Sequence, residues 1–390
     1  MKIATILFVY KRYKHTENVL EALSKNYILP EILFIFQDGP KATDNREEWQ
    51  AVNRLIKEVS FCPTKVQVAN SNKGLANSVV HGVNRVLQDY DAVIVLEDDC
   101  VPTPNFLNFM YQCLEHYRDN KQVYSITGYA WPLGWTEQAS DVYFTGRMCS
   151  WGWATWRDRW QHYLAADNLL DGLTDNADGS KYLATWGSDL PRMYRERLTH
   201  KNDSWAVYWA LNIIARRGLC MSPYKSLIDN IGCDNSGTHI GVTQRFVVAL
   251  EDEPLKRYDL PDKVEIAPQT PHVFASLYGS YTAVANNNNG EPVYIYGLGE
   301  FFRTHEAILN QMYRIQGFID RHKSGYYAGL PIIQPCDSHV FHSHKIVIML
   351  ADAEECLRVA ATLQLSCAVS PKNIWLGRVK KTGAFYTVKL

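Results

Sequence analysis

Ala92-Val93-Ile94-Val95-Leu96-Glu97-Asp98-Asp99 is the stretch on which the reading of this chain turns. An uninterrupted apolar run of this length is a short buried strand, and three carboxylates follow it with no spacer. In an open α/β sheet, ligands sit beyond the C-terminal ends of the strands. Carboxylates packed so closely repel one another. They persist most readily where a divalent cation and a ligand's hydroxyls or amides share the charge. A nucleoside diphosphate held through Mg²⁺ or Mn²⁺ meets that description, and a solvated acidic turn is the plainer alternative.

On either side, short apolar runs alternate with amphipathic stretches, as in successive βαβ units. Ile6 to Tyr10, Ile32 to Phe36 and Lys65 to Val68 read as strands. The helical faces between them carry Val19, Leu20 and Leu23; then Trp49, Val52, Leu55 and Val59; then Leu75, Val79, Val83 and Leu87. Asp44 and Glu47 stand at capping-box spacing ahead of the second helix, and Thr103-Pro104 reads as a cap with a first-turn proline. Right-handed crossovers between such elements build a parallel, doubly wound sheet. Beyond residue 120 aromatics crowd in, with strand-like runs at Val123 to Thr127 and Asp141 to Thr145, the look of an acceptor-binding elaboration. Residues 266–290, with consecutive asparagines at 286 to 289, read as a linker. A fresh βαβ pattern then occupies 291–390, so the expected domains are 1–265 and 291–390. Asp352 and Glu355 again have capping-box spacing there.

Composition narrows the partners. With 40 Lys+Arg against 41 Asp+Glu, the net charge of -1 gives no field to draw in nucleic acid or an anionic membrane. The 9 cysteines never form a C-x-x-C pair, which argues against a disulfide framework or a zinc site and for a reducing compartment. No apolar run approaches a membrane span, so the expectation is a cytoplasmic protein, at the inner face of the membrane at most through peripheral association.

Four groups of residues fall at or just beyond predicted strand ends. Tyr10-Lys11-Arg12 follows the first strand, where Arg12 can present a cation to phosphate or serve a structural charge pair. Gln37-Asp38-Gly39 follows the second, where Asp38 can accept from the N–H of a base or close an Asx turn. Asn72-Lys73-Gly74-Leu75 opens a helix whose N-terminus favours anions, although a simple glycine turn explains Gly74 equally well. The acidic triplet is the fourth.

In that order, Gln37-Asp38-Gly39, Asn72-Lys73-Gly74-Leu75 and Leu96-Glu97-Asp98-Asp99-Cys100-Val101-Pro102 resemble the donor half of GT-A glycosyltransferases. The likeness is to bacterial family-2-type enzymes and to N-acetylglucosaminyltransferase I, whose metal motif is also Glu-Asp-Asp. Ser150-Trp151-Gly152-Trp153-Ala154-Thr155-Trp156 is similar to a tryptophan-rich segment of the bacterial sequences. The resemblance spans about residues 1–265 and implies an α/β fold: a Rossmann-like, mostly parallel sheet flanked by helices, followed here by a small C-terminal Rossmann-like domain. It implies that Asp99 ligates Mn²⁺ or Mg²⁺, that Glu97, Asp98 and Asp38 contact the nucleotide, and that the acceptor is a saccharide or lipid-linked saccharide in bacterial surface-polysaccharide or oligosaccharide synthesis.

An inverting transfer also needs a base, and the resemblance points to Asp203, ahead of the apolar helix from Trp205 to Ala215; a plain helix cap fits the same spacing. Asp158 and Asp234 are reserves. Trp151, Trp153 and Trp156 offer flat faces to sugars or anchor the core. The Asn235-to-Gly241 segment resembles a lid that brings His239 to the pyrophosphate, against which stands a lone surface histidine. Gly297, Gly299 and Asp320 approach a dinucleotide fingerprint, but Phe302 occupies its third glycine position. A sugar-nucleotide nucleotidyltransferase would need a glycine-rich first loop, which Phe8 to Tyr13 lacks. A catalytically inactive nucleotide-sugar-binding scaffold is the rival from another class.

Overall fold

The computed structural model describes residues 1–131, 140–187, 189–232, 248–266, 270, 274, 291–379 and 385–389. Its contacts divide the chain into two compact units, one over the described residues up to 274 and one from 291 onward.

In the first unit the apolar runs become β1 (Ile3–Val9), β2 (Leu33–Gln37), β3 (Thr64–Val68) and β4 (Ala92–Glu97), all parallel in the order β3-β2-β1-β4. Between them run α1 (Tyr13–Ser24), α2 (Arg46–Lys57) and α3 (Leu75–Val86). Alternation along β1 sends Leu7 into a core with Val19 and Leu23 of α1 and Val52 and Ile56 of α2. Phe8 faces the other way, toward α3, where Gly82 leaves room for the Phe8 and Phe36 rings. These rings stack 5.4 Å apart. The α/β class and the mostly parallel sheet flanked by helices are therefore as expected.

The chain continues through β5 (Cys100–Pro102), α4 (Phe106–His116), β6 (Val123–Thr127), β7 (Val142–Thr145) and β8 (Trp153–Trp156). Next come α5 (Arg157–Trp160), α6 (Leu169–Thr174), α7 (Ala177–Thr185), α8 (Asp189–Leu198), α9 (Ala206–Ala215), β9 (Leu219–Pro223) and β10 (Ile228–Asn230). The tryptophan-rich segment is itself a strand: β8 pairs antiparallel with both β4 and β6 and extends the sheet to eight strands. β5 and β10 form a separate antiparallel ribbon that carries the chain past Asp99.

Two predicted caps move. Asn45, rather than Asp44, accepts from Glu47 N at 3.0 Å at the start of α2, because Asp44 is taken by Tyr10 and Lys11. α4 starts at Phe106, and Leu107 N is capped by Asn26 Oδ1 at 3.0 Å rather than by Thr103.

The second unit holds β11 (Glu291–Tyr296), α10 (Glu300–Met312), β12 (Tyr313–Ile319), β13 (Gly325–Tyr327), β14 (Leu330–Ile333), β15 (Lys345–Ile348), α11 (Ala353–Cys367), β16 (Ile374–Val379) and β17 (Phe385–Lys389). Its sheet runs β13-β14-β12-β11-β15-β16-β17, with parallel pairs through the centre. The Asp352 cap is as expected, with Glu355 N 2.7 Å from Asp352 Oδ1. Phe302 is fully buried and meets Phe318 edge-on at 5.3 Å, so a ring fills the gap that a fingerprint glycine would close. Asp320 is spent on its own loop, accepting from Leu298, His322 and Lys323 N at 3.2, 2.9 and 3.0 Å.

Candidate active site

Parallel pairing explains why residues far apart in sequence meet. Phe8 is in register with Glu97 and Val9 with Gln37, so whatever follows β1, β2 and β4 emerges on one edge. There Arg12 donates to both acids after β4. Its Nε lies 3.3 Å from Asp98 Oδ2, Nη2 donates to Asp98 Oδ1, and the same Nη2 is 2.9 Å from Asp99 Oδ2. Asp98 is buried at 6% exposure, and the Asp99 side chain keeps 16%.

The three acids are not equivalent. Burial first, then the charges of Asp99 and Asp98, push Glu97 up to about 8, against the opposing pull of Arg12 and of a hydrogen bond with the Trp205 side chain. Burial raises Asp98 as well, with Arg12 pulling the other way. Asp99 Oδ2 faces Gly232, where a Cβ would come within 2.3 Å of that oxygen; only a glycine leaves the notch.

Asp38 has a use that the sequence does not announce. Oδ1 accepts from Gly39 N at 2.8 Å and Lys73 N at 2.9 Å, and Oδ2 from Gly74 N and Asn72 Nδ2, both at 3.0 Å. A carboxylate has about four lone-pair sites, so the loop before α3 fills them. Instead of standing free for a base, Asp38 clamps the Asn72–Gly74 loop to the end of β2. The Lys73 side chain points outward and is exposed.

Asp203 does not cap its own helix, whose N-cap is Trp205. Asp203 Oδ2 instead accepts from Ala76 N, in the first turn of α3, at 3.2 Å. It also lies within 2.8 Å of where a Cβ on Gly74 would sit. Arg197 Nη2 is 3.4 Å from its other oxygen, and the carboxylate keeps 38% exposure. The segment 203–205 thus touches α3 through Asp203 and Glu97 through Trp205. Arg197 and Gly232 were not singled out from sequence, and Trp205 was read there only as the start of a helix.

Other expected residues lie elsewhere. Tyr10 and Lys11 turn to Asp44; burial and then that bond raise Tyr10 to about 12, while Lys11 and then Tyr10 lower Asp44 to about 2. Trp153 and Trp156 are core residues rather than sugar platforms: Trp153 is fully buried, 4.8 Å from the Trp205 ring, and Trp156 donates to Leu114 O at 3.1 Å. Of the three, Trp151 keeps partial exposure, packed edge-on against Tyr129. Asp158 is bound to Lys121 and Arg159 near the start of β4, remote from the acidic edge. His239, Asp234 and the Asn235-to-Gly241 segment lie outside the described residues. Among the described residues no group of three or more His, Cys, Asp or Glu side chains forms a ready-made metal cage, and no helix is long and apolar enough to cross a membrane.

No family model and no curated protein matches the chain. Solved structures overlap it in part. TarS residues 1–349 from S. aureus is 14% identical over 41% of this chain and 48% of that one, with a TM-score of 0.32. A mannosyltransferase from Pyrobaculum calidifontis, in complex with GDP-Man and Mn²⁺, is 15% identical over 47% and 51%, at 0.30. An apo UDP-glucose pyrophosphorylase is 13% identical over 57% and 90%, at 0.29. The chain spans about half the length of the first two. At these values the overlaps carry no weight for activity. What the chain's own geometry defines is an α/β protein in which an acidic cluster pairs with the Arg12 guanidinium at the C-terminal edge of the parallel strands.

Proposed function

We propose that this chain is a metal-dependent glycosyltransferase of GT-A architecture, moving a sugar from a nucleoside-diphosphate donor, a UDP-sugar, to a hydroxyl of a saccharide or lipid-linked saccharide, with inversion in one displacement. One observation supports the reading above all: Arg12, Glu97, Asp98 and Asp99 share an edge of the sheet, and the segment from Asp203 to Trp205 joins that edge to the first turn of α3.

Asp99 suits a divalent cation. Its Oδ2 faces the Gly232 notch, and a carboxylate oxygen is the donor type that Mg²⁺ and Mn²⁺ take. With Asp98 engaged by Arg12 and Glu97 by Trp205, protein supplies few ligands, and small divalent ions at phosphate sites commonly take the rest from phosphate oxygens and water. When bound, a cation there supplies Lewis-acid neutralisation of the charge that grows on the diphosphate as the glycosidic bond breaks. Arg12 adds a fixed positive charge for the same oxygens. Asp38 takes the Lys73 and Gly74 N–H groups and Asp203 takes that of Ala76, so the two carboxylates fix the turn into α3 beside the acidic edge. Asp203, partly exposed and held in place by Ala76 N, takes the proton of the attacking hydroxyl. Trp151 provides a partly open indole face for a sugar ring.

The test is release of nucleoside diphosphate from a set of nucleotide-sugars with Mn²⁺ and with chelator, for wild type and Asp203→Asn. The variant is expected to bind donor normally but transfer about 10²–10⁴-fold more slowly, the usual worth of a positioned base. Normal transfer by Asp203→Asn would remove Asp203 from that role. If the wild type releases nothing from any donor, the scaffold reading takes over.

A further inference from the structure

An arginine drawn below the surface ordinarily uses its nitrogens, as Arg159 does. Its Nε donates to Val123 O at 3.3 Å, Nη1 to Asp158 at 2.7 Å, and Nη2 to the carbonyls of Tyr117, Arg118 and Asn120 at 3.1, 2.6 and 3.0 Å. Arg197, on α8, departs from that pattern. Its side chain is 18% exposed, yet among the described residues its Nε is buried with no hydrogen-bond partner. Its ion-pair partner is Asp203, with Nη2 3.4 Å from Oδ1, and its guanidinium lies 5.8 Å from the centre of the Tyr208 ring. So long a contact to a partly exposed carboxylate contributes little to stability. A guanidinium held largely out of water with an unused Nε–H is unfavourable to keep, and folding alone gives no reason for it.

Its position does. Asp203 turns Oδ2 to Ala76 N and Oδ1 to Arg197, so Arg197 flanks the candidate base on the oxygen that α3 leaves free. Both charges also bear on the Tyr163 hydroxyl, although burial is what chiefly raises that group. We propose that Arg197 binds the acceptor: it takes an anionic group, a carboxylate or a phosphate, on the saccharide whose hydroxyl Asp203 deprotonates. This rests on the reading of Asp203 as the base. A guanidinium meets two oxygens of such an anion at once, and Nε has no hydrogen bond to break when the side chain turns to present it. With hydrogen bonds of ordinary length at both ends, the anion lies within about 9 Å of the reacting hydroxyl, the span of one sugar ring and its substituents. The acceptor is therefore an acidic saccharide, charged on the reacting residue or the one beside it.

The experiment presents the full chain, with Mn²⁺ and UDP, to arrayed saccharides in three matched sets: uronic-acid-bearing, phosphate-bearing and neutral. Wild type is expected to bind one acidic set about tenfold or more tightly than its neutral match, and which set it is distinguishes carboxylate from phosphate. Arg197→Gln should lose about tenfold or more on that acidic set, the usual worth of a hydrogen bond to a charged group, and close the gap to the neutral one. Arg197→Lys, which keeps the charge but not the fork, should fall between; it serves if the glutamine variant fails to fold. An arginine with a merely structural role would lower all sets alike. Equal binding of acidic and neutral sets by wild type, binding of none, or an acidic preference unchanged in a folded Arg197 variant overturns the proposal. Because the array reads binding rather than transfer, its failure is separate from that of Asp203 as base, which the Asp203→Asn rate tests. Titration of wild type with UDP and Mn²⁺ separates the donor site too: no UDP binding overturns the donor reading and this proposal with it, whereas UDP binding without acidic preference overturns this proposal alone.

Discussion

Gly74→Ala tests how the candidate base is seated. Gly74 has φ +81° and ψ 160°, a region that residues with a Cβ hardly enter. Forcing alanine into it costs roughly 1–3 kcal/mol. The new methyl would also come within 2.8 Å of Asp203 Oδ2, so the carboxylate must swing away from Ala76 N. A lost helix-capping bond of this kind costs about 0.5–2 kcal/mol. The variant should therefore lose about 1.5–5 kcal/mol in urea unfolding, as a lower midpoint at unchanged slope. Asp203→Ala alone should show only the capping part. In the double variant that part is counted once, so the two losses should be sub-additive by roughly 0.5–2 kcal/mol. A loss below about 0.5 kcal/mol for Gly74→Ala, or strict additivity, would refute the seating of Asp203 against this turn.

Two further outcomes follow from buried or paired charges. Arg147 meets Asp189 with two bonds of 2.7 and 2.8 Å, both side chains nearly buried, so Arg147→Ala strands a carboxylate and should cost about 3–5 kcal/mol by chemical denaturation; removing both partners should cost less than removing Arg147 alone. Asp44 is held at about 2 against its ordinary 3.8, by Lys11 first and Tyr10 second, so its stabilising share is complete above pH 3.8 and lost as pH falls through about 2. Thermal melts between pH 2 and 5 should show Asp44→Asn with a shallower acid loss than wild type, and an unchanged slope would contradict the pairing.

The four parallel strands and their helices were legible because each is a short apolar run followed by a clean helical face, and such runs are buried wherever the sheet goes. β8 was not: its four residues spell tryptophan, alanine and threonine, and their burial depends on β4 and β6, which the local pattern does not reveal. The same limit applies to the site. The acidic triplet announced itself, but its pairing with Arg12 follows from β1 and β4 being neighbours, a fact of strand order. Asp38 could be read from sequence as a base contact or an Asx turn because, Gly39 N apart, its partners lie 34 to 36 residues on, in a loop brought back by β3. For Asp203 the spacing also fitted a cap of the helix beside it, yet its carboxylate serves α3 across 127 residues. Local chemistry was readable wherever partners are near in sequence, and the Asp352 cap was; the Asp44 cap was not, because Tyr10 and Lys11 outcompete the helix for that carboxylate.

The central claim is that the carboxylate after β4 takes a cation carrying a diphosphate. Anomalous diffraction from crystals grown with Mn²⁺ and UDP addresses it without reference to turnover. The account predicts a manganese peak on Asp99, beside Gly232, with the diphosphate against Arg12. Manganese and nucleotide bound together elsewhere, with Asp99 still held by Arg12, would contradict it.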